Sequence, residues 1–367
     1  MKINEVIKLL EQFAPISLQE DYDNAGLITG SKDWNCNGAL ITLDATEDVI
    51  KEAIDKKCNL VIAHHPIVFK GLKKITGKNY VEQTIITAIK NDIAIYAIHT
   101  NLDHVINGVN GKIAEKLGLQ NTRILAPKKN VLQKLAVFVP VSHTDAVKQA
   151  LFTAGAGNIG NYSECSFAVE GNGTFKPAPG SRPFVGAIGE RQNEVEVKIE
   201  VIFPGWLQSQ VLTGMRTAHP YEEIAYDVVA LENGYSSVGA GMIGELPKAA
   251  TESSVLQKLK DIFKIPVIKH THLTGKPIKK IAVCGGAGSF LTGAAIASDA
   301  DMYITGDIKY HEFFDAGQNL LLADIGHYES EQFTTDLLFD LLREKFPNFA
   351  VLKTGVNTNP VHYFAGK

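Results

Sequence analysis

The chain opens on an amphipathic stretch. Ile3, Val6, Ile7, Leu9 and Leu10 recur at helical spacing between Asn4, Glu5 and Lys8, which predicts a helix with one buried face. Apolar runs of strand length then alternate with helical periodicity. Residues 38–43, 60–63 and 93–98 are short apolar runs, and residues 47–57, 81–91 and 110–117 have helical spacing. This rhythm predicts a parallel sheet with helices on both faces. The last third repeats it, with strands at 278–284, 302–305 and 320–325. Helices are expected at 290–299 and 329–346, the second stopping before Pro347.

The middle has another style. From about Val131 the pattern reads strand then helix, followed by a strand at 162–170 and a Gly/Pro-rich stretch at 171–186. An alternating strand at 194–202, a helix at 206–217 and a strand at 224–230 complete it. Two βαβ halves in series are the ferredoxin-like order. The expected organisation is an α/β core formed by residues 1–130 and 234–367, interrupted by an inserted α+β domain at 131–233.

A length of 367 residues suits more than one core. With 45% hydrophobic and 21% charged residues the chain is globular material, and its formal net charge of −4 argues against a nucleic-acid or anionic-membrane partner held by bulk charge. No apolar run approaches the roughly 20 residues that cross a bilayer, and the first segment lacks the apolar core of a signal peptide. Cys36, Cys58, Cys165 and Cys284 are far apart and form no CxxC, so they read as reduced thiols. Cytoplasm is the expected location.

The chemistry is concentrated after the strands. Asp44, His64-His65, His99 with Asp103, Asp307 with His311, and His327 each follow an apolar run. In open parallel sheets ligands bind beyond the carboxyl ends of the strands. His64 and His65 would point to opposite faces within a strand but can turn to one cleft on a bend after it, a geometry Pro66 favours. His327 and Glu331, four apart at the start of a helix, share one face. Asp103 adds a carboxylate from the neighbouring loop. Three imidazoles and two carboxylates suit Zn²⁺, Fe²⁺ or Mn²⁺, and five ligands suggest two divalent metal ions per chain with a carboxylate bridging. A single histidine at a strand end is more often an ordinary hydrogen-bonded side chain; the convergence of all five makes the case.

Weaker signals are discounted. Gly239 to Gly244 match G-x-G-x-x-G, but Glu245-Leu246-Pro247 follow in place of a helix. The Cys284-Gly285-Gly286-Ala287-Gly288-Ser289 turn reads first as a tight turn; were the substrate a nucleotide, it is the glycine-rich candidate for phosphate contact. The segment from His219 to Glu223 reads as loop chemistry.

These residues resemble the Nif-three-like family, whose members are often described as homologues of a type-two GTP cyclohydrolase I. The similarity spans essentially the whole chain. It is carried by Asp23-Asn24-Ala25-Gly26-Leu27, Ala63-His64-His65-Pro66, His99-Thr100-Asn101-Leu102-Asp103, Gly306-Asp307 with His311, Asp324-Ile325-Gly326-His327 with Glu331, and Thr358-Asn359-Pro360. Tyr22 stands where the family commonly has Trp. The resemblance implies a two-lobed α/β fold with parallel-type sheets and a dinuclear metal centre. It further implies a toroidal homohexamer and, for residues 131–233, a PII/CutA-like insert. The expected function is metal-dependent hydrolysis of a small molecule, with a nucleotide the first substrate. Asp103 and Glu331 would bridge, while His64, His65 and His327 serve as terminal ligands. His99 and His311 would act in the second layer or in proton transfer. The alternative is a non-enzymatic metal-dependent assembly or regulatory protein whose insert binds a partner or small ligand.

Overall fold

Alternate residues of the central strands face two different cores, which is why those strands read as unbroken apolar runs. A computed structural model describes residues 1–364. The chain divides into two compact units, residues 1–126 with 237–367, and residues 127–236.

In the larger unit the chain forms α1 (Ile3–Phe13), β1 (Gly26–Thr29), β2 (Ala39–Asp44), α2 (Glu47–Asp55), β3 (Leu60–His65), α3 (Tyr80–Lys90) and β4 (Ala94–Ala97). Then come α4 (Thr100–Asp103), α5 (Val109–Leu117) and β5 (Gln120–Lys128). Ile41, Ile62 and Tyr96 pack on the α1 side, while Leu40, Val61 and Ile95 meet Val49, Ile50 and Ala88 of α2 and α3. The sheet has the order β1-β4-β3-β2-β15, where β15 is Val351–Lys353. Its strands are parallel except β1, which runs antiparallel along β4. The sheet is therefore mixed.

In the smaller unit β6 (Leu132–Pro140), α6 (Thr144–Thr153), β7 (Phe167–Phe175), β8 (Gln192–Pro204), α7 (Gln208–Ala218) and β9 (Tyr226–Leu231) form a four-stranded sheet of order β7-β8-β6-β9. All the pairings are antiparallel, which is the ferredoxin-like arrangement. Leu135, Val137, Ile199 and Val201 bury one face of the sheet against Val147, Leu151, Val211 and Met215 of the two helices. The expected strand at 162–170 lies five residues later. Gly171 and Gly173, read as loop, are inside β7, because pairing with β8 decides that stretch.

The larger unit resumes with β10 (Tyr235–Ala250), α8 (Glu252–Phe263), β11 (Lys269–His270), β12 (Ile278–Ala287), α9 (Thr292–Ala297), β13 (Met302–Gly306), β14 (Leu321–Asp324), α10 (His327–Glu331) and α11 (Thr334–Lys345). The second sheet has the order β11-β14-β13-β12-β10-β5. β12, β13 and β14 are parallel, β10 runs antiparallel to β12, and β11 runs antiparallel to β14. Ile281, Val283, Ile304 and Ala323 share the core that α1 and α5 enter, whereas Tyr303 and Leu322 face a separate cluster with Leu291 and Ala295. The glycines from Gly239 to Gly244 lie within β10. The single long helix expected at 329–346 is two, α10 and α11. No helix among the described residues is long and apolar enough to cross a membrane. The four cysteines are unpaired, and all but Cys165 are buried.

Candidate metal centre

The carboxyl ends of β2, β3, β4, β13 and β14 deliver Asp44, His65, His99, Asp307 and His327 to one cleft of about 1050 Å³. Glu331 is buried at its floor, 2% exposed. The expected bend before His65 is absent: β3 continues through it, and Asp44 pairs with it across the sheet. Both rings nonetheless reach the same carboxylate. His64 Nε2 lies 3.7 Å from Glu331 Oε1, and His65 Nε2 lies 2.9 Å from Glu331 Oε2. Asp103 stands on the short helix α4 and not on a loop. Its Oδ1 is 3.6 Å from His64 Nε2. His327 and Glu331 share a face of α10 as their spacing requires, with Nε2 3.2 Å from Oε2.

Each imidazole is held by its other nitrogen. His64 Nδ1 lies 2.8 Å from the Ile98 carbonyl, His65 Nδ1 2.8 Å from Asp44 Oδ1, His327 Nδ1 2.8 Å from Asp307 Oδ2 and His99 Nδ1 2.8 Å from Asp23 Oδ1. A carbonyl or carboxylate oxygen only accepts, so Nδ1 carries the hydrogen in every ring. In a neutral ring Nε2 is then a bare lone pair. This is how proteins orient metal-ligating histidines. Asp44, Asp307 and Asp23 supply three of these four acceptors and were not among the expected ligands, although Asp23 and Asp307 lie in the motifs that carry the family resemblance.

His64 tests whether a cation fits. The residue is fully buried, its Nδ1 proton is committed to Ile98, and its Nε2 has no hydrogen-bond partner. Asp103 Oδ1 is likewise buried without a partner. A bare lone pair facing two carboxylates at 3.6 and 3.7 Å is unfavourable unless something positive sits among them. The other half of the site behaves similarly. His65 Nε2 and His327 Nε2 are 3.2 Å apart against one oxygen of Glu331. Burial would lower the pKa of His65, but hydrogen bonds to Asp44 and Glu331 outweigh it and push it up to about 10. His327 rises to about 9 by the same balance, through Glu331 and Asp307. Burial, then the charge of Glu331, raises Asp103 to about 7. Glu331 itself is held well below the carboxylate range, because His64, His327 and His65 outweigh its burial. Protons fill the place that a cation would take.

Three sets of ligand atoms lie close enough to hold an ion: His64, Asp103 and Glu331; His65, His327 and Glu331; and His64, His65 and His99. The five residues expected as ligands are thus brought together. His99 joins them more closely than expected, its ring 5.3 Å from that of His64 and 5.4 Å from that of His65. His311 is not brought to the centre. It is exposed beside Tyr310 and Phe314 on the short helical segment Tyr310–Ala316. The expected glycine-rich turn is mostly strand: Cys284 to Ala287 lie within β12, and Gly285 N donates to Asn110 Oδ1 and Gly286 N to Ser330 Oγ, so neither amide is free for a phosphate.

The Duf34/NIF3 (NGG1p interacting factor 3) family profile matches residues 1–360. The chain belongs to the Duf34/NIF3 family. A Bacillus subtilis relative called GTP cyclohydrolase 1 type 2 homolog is 38% identical over 97% of each chain. One of the same name from Halalkalibacterium halodurans is 40% identical over 97% of each. The crystal structure of a Bacillus cereus protein related to NIF3 superposes with a TM-score of 0.86 at 39% identity, covering 99% of both chains. In this Duf34/NIF3 chain the buried histidine and carboxylate clusters suit a metal site.

Proposed function

We propose that the cleft holds two divalent metal ions, chosen from Zn²⁺, Fe²⁺ and Mn²⁺, and uses them to hydrolyse a nucleotide. The bare, buried Nε2 of His64 carries this reading, because it faces Asp103 and Glu331 with no hydrogen-bond partner. The two oxygens of Glu331 support a pair of ions. Oε1 faces His64, and Oε2 faces His65 and His327. Glu331 is then the bridge. Asp103, grouped with His64 and Glu331, would complete that side.

Ions held by His64, His65, Asp103, His327 and Glu331 would supply Lewis acidity for hydrolysis. The chain does the rest. Ile98, Asp44 and Asp307 keep the three rings aimed. Asp23, held down to about 2 by hydrogen bonds from His99 and Thr100 that outweigh its burial, stays anionic and keeps the proton on His99 Nδ1. His99 Nε2 is thereby left as a base beside the centre. Tyr22, Phe69, Phe290, Tyr328 and Tyr363 line the cleft and offer faces for a base to stack on. Seven carboxylates line it against Lys269 alone, so phosphate groups would need the cations to enter. The name of the curated relatives, GTP cyclohydrolase 1 type 2 homolog, favours a purine nucleotide.

The test is metal analysis with a reconstituted turnover assay across a nucleotide panel, using His64→Ala to exclude contaminating enzymes. Two metal equivalents and chelator-sensitive turnover are expected. Metal binding without turnover above the control, for any nucleotide and any of the three metals, defeats the nucleotide reading and leaves a metal-dependent assembly or regulatory protein.

A further inference from the structure

The outer face of the inserted sheet buries an acid, Glu196. Along β8, Val197, Ile199 and Val201 turn toward the two helices, so Glu196, Lys198 and Glu200 turn away from them. On that outer face Lys198 and Glu200 stay part-exposed and pair with each other at 2.6 Å. Glu196 is only 9% exposed. Among the described residues no Lys or Arg pairs with it.

The carboxylate is given room on purpose-built backbone. Gly173 lies on the adjacent β7, and a Cβ there would fall 2.2 Å from Glu196 Oε2, so a larger residue would push the carboxylate out of its present place. Around the slot is a cavity of about 470 Å³, walled by Phe175, Phe184 and Tyr221, and lined also by Lys176 and Arg182, against which Glu196, Glu222 and Glu223 leave the lining net negative. The ring of Tyr221 lies 6.0 Å from that of Phe175 and 6.1 Å from that of Phe184. Its hydroxyl is buried beside Glu196 without a well-formed hydrogen bond. These walls are preformed. His219 packs edge-on against Tyr221 at 5.0 Å, donates from Nε2 to the Phe138 carbonyl, and accepts from Tyr221 N on Nδ1. Arg182 N donates to Glu222 Oε1, tying the Pro-rich segment to the turn that carries Tyr221.

We propose that the insert binds a small organic cation here, a protonated amine on an apolar body, with the charge on Glu196 and the body between Phe175, Phe184 and Tyr221. A buried carboxylate in a lining of net negative charge favours a cation over a neutral or anionic guest. Aromatic faces attract cations and repel anions. The volume exceeds that of a bare ammonium and lies in the range of small-ligand pockets. A hard metal ion would want about six or more oxygens, which these rings do not provide. An amine N–H can donate to Glu196 and to the Tyr221 oxygen, whose own proton faces Glu196; a quaternary ammonium can donate to neither.

Calorimetric titration of the full chain with phenethylammonium, n-butylammonium and putrescine tests this, with 2-phenylethanol and n-butanol as neutral counterparts. One saturable site per chain is expected for at least one amine, with the matching alcohol at least tenfold weaker. Glu196→Gln should weaken binding at least tenfold. Phe184→Ala should do likewise, and because Phe184 is 53% exposed its truncation spares the core if Glu196→Gln fails to fold. Glu331→Gln, in the metal centre, should leave amine binding unchanged. The proposal is overturned if no amine gives saturable binding, if the alcohols bind equally well, or if binding survives in Phe184→Ala and Glu196→Gln or is lost in Glu331→Gln.

Discussion

Thr358 Oγ1 donates a 2.7 Å hydrogen bond to Asp44 Oδ2, while Asp44 Oδ1 accepts from His65 Nδ1 at 2.8 Å. A residue of the C-terminal tail thus reaches a ligand through one carboxylate. The next residue, Asn359, donates to Glu329 on α10, the helix that carries His327 and Glu331. Thr358→Val keeps the shape and removes the donor. It should weaken metal retention by roughly tenfold or more, the usual cost of losing an outer hydrogen bond to a ligand, whereas Thr358→Ser should retain it. Competition against a chromophoric chelator measures this, and equal retention by the Val variant would show that Asp44 holds His65 unaided.

Gly286 follows β12's buried core at φ +64°, and a Cβ there would fall 2.4 Å from Glu331 Oε1. Gly286→Ala should displace Glu331 and lower metal content, with a backbone penalty of about 1 kcal/mol. Gly293 in α9 has open space around its Cβ position and no left-handed φ. Gly293→Ala should leave melting temperature unchanged or raised, with full metal content. Paired melting curves and metal analysis compare them.

His99 stands between two roles. It falls within ligand distance of His64 and His65, yet its Nδ1 is anchored to Asp23 and it makes no ion pair with Glu331 among the described residues. His99→Ala should therefore retain metal and lose turnover of whichever nucleotide the wild type accepts. Metal content falling in step with turnover would make His99 a ligand instead.

Glu82 sits in the first turn of α3 and accepts from Thr76 N at 2.7 Å, Lys78 N at 3.1 Å and Thr76 Oγ1 at 2.9 Å. Those backbone hydrogen bonds, with the Thr76 hydroxyl, hold its carboxyl below the ordinary 4.5. A lowered folded pKa means that the stabilisation is present above 4.5 and is lost as pH falls through the folded value. Glu82→Gln should melt below wild type near neutral pH, and the gap should close as pH falls beneath 4.5. A gap independent of pH would place the effect in packing rather than charge.

Residues 38–43, 60–63 and 93–98 announce their strands because both faces of each are buried, which leaves few polar positions to blur the run. The edge strands β1 and β11 carry no continuous apolar signature, since they are short and only partly buried, and of β10 only the glycines at 239–244 read as strand or turn. α8 did carry a signal: Thr251 caps it by accepting from Ser254 N, and its buried Val255 and Leu259 are four apart. Gly171 and Gly173 misled in the opposite sense, as glycines read as loop although one of them is required by a neighbouring carboxylate.

By itself the sequence determined the kinds of residue offered at the strand ends, because apolar periodicity locates strands and the polar residue that follows must leave the core. It also determined that His327 and Glu331 share a face, a consequence of helical pitch that survives the break between α10 and α11. Only the tertiary structure decided that Glu331 lies between His64 and His65, which are more than 260 positions away, that His99 belongs beside them and that His311 does not. It likewise decided the tautomer of each ring through Ile98, Asp44, Asp307 and Asp23. Local periodicity records which side of an element faces the core. Which carboxylate meets which imidazole depends on how two sheets pack, and no local pattern encodes that.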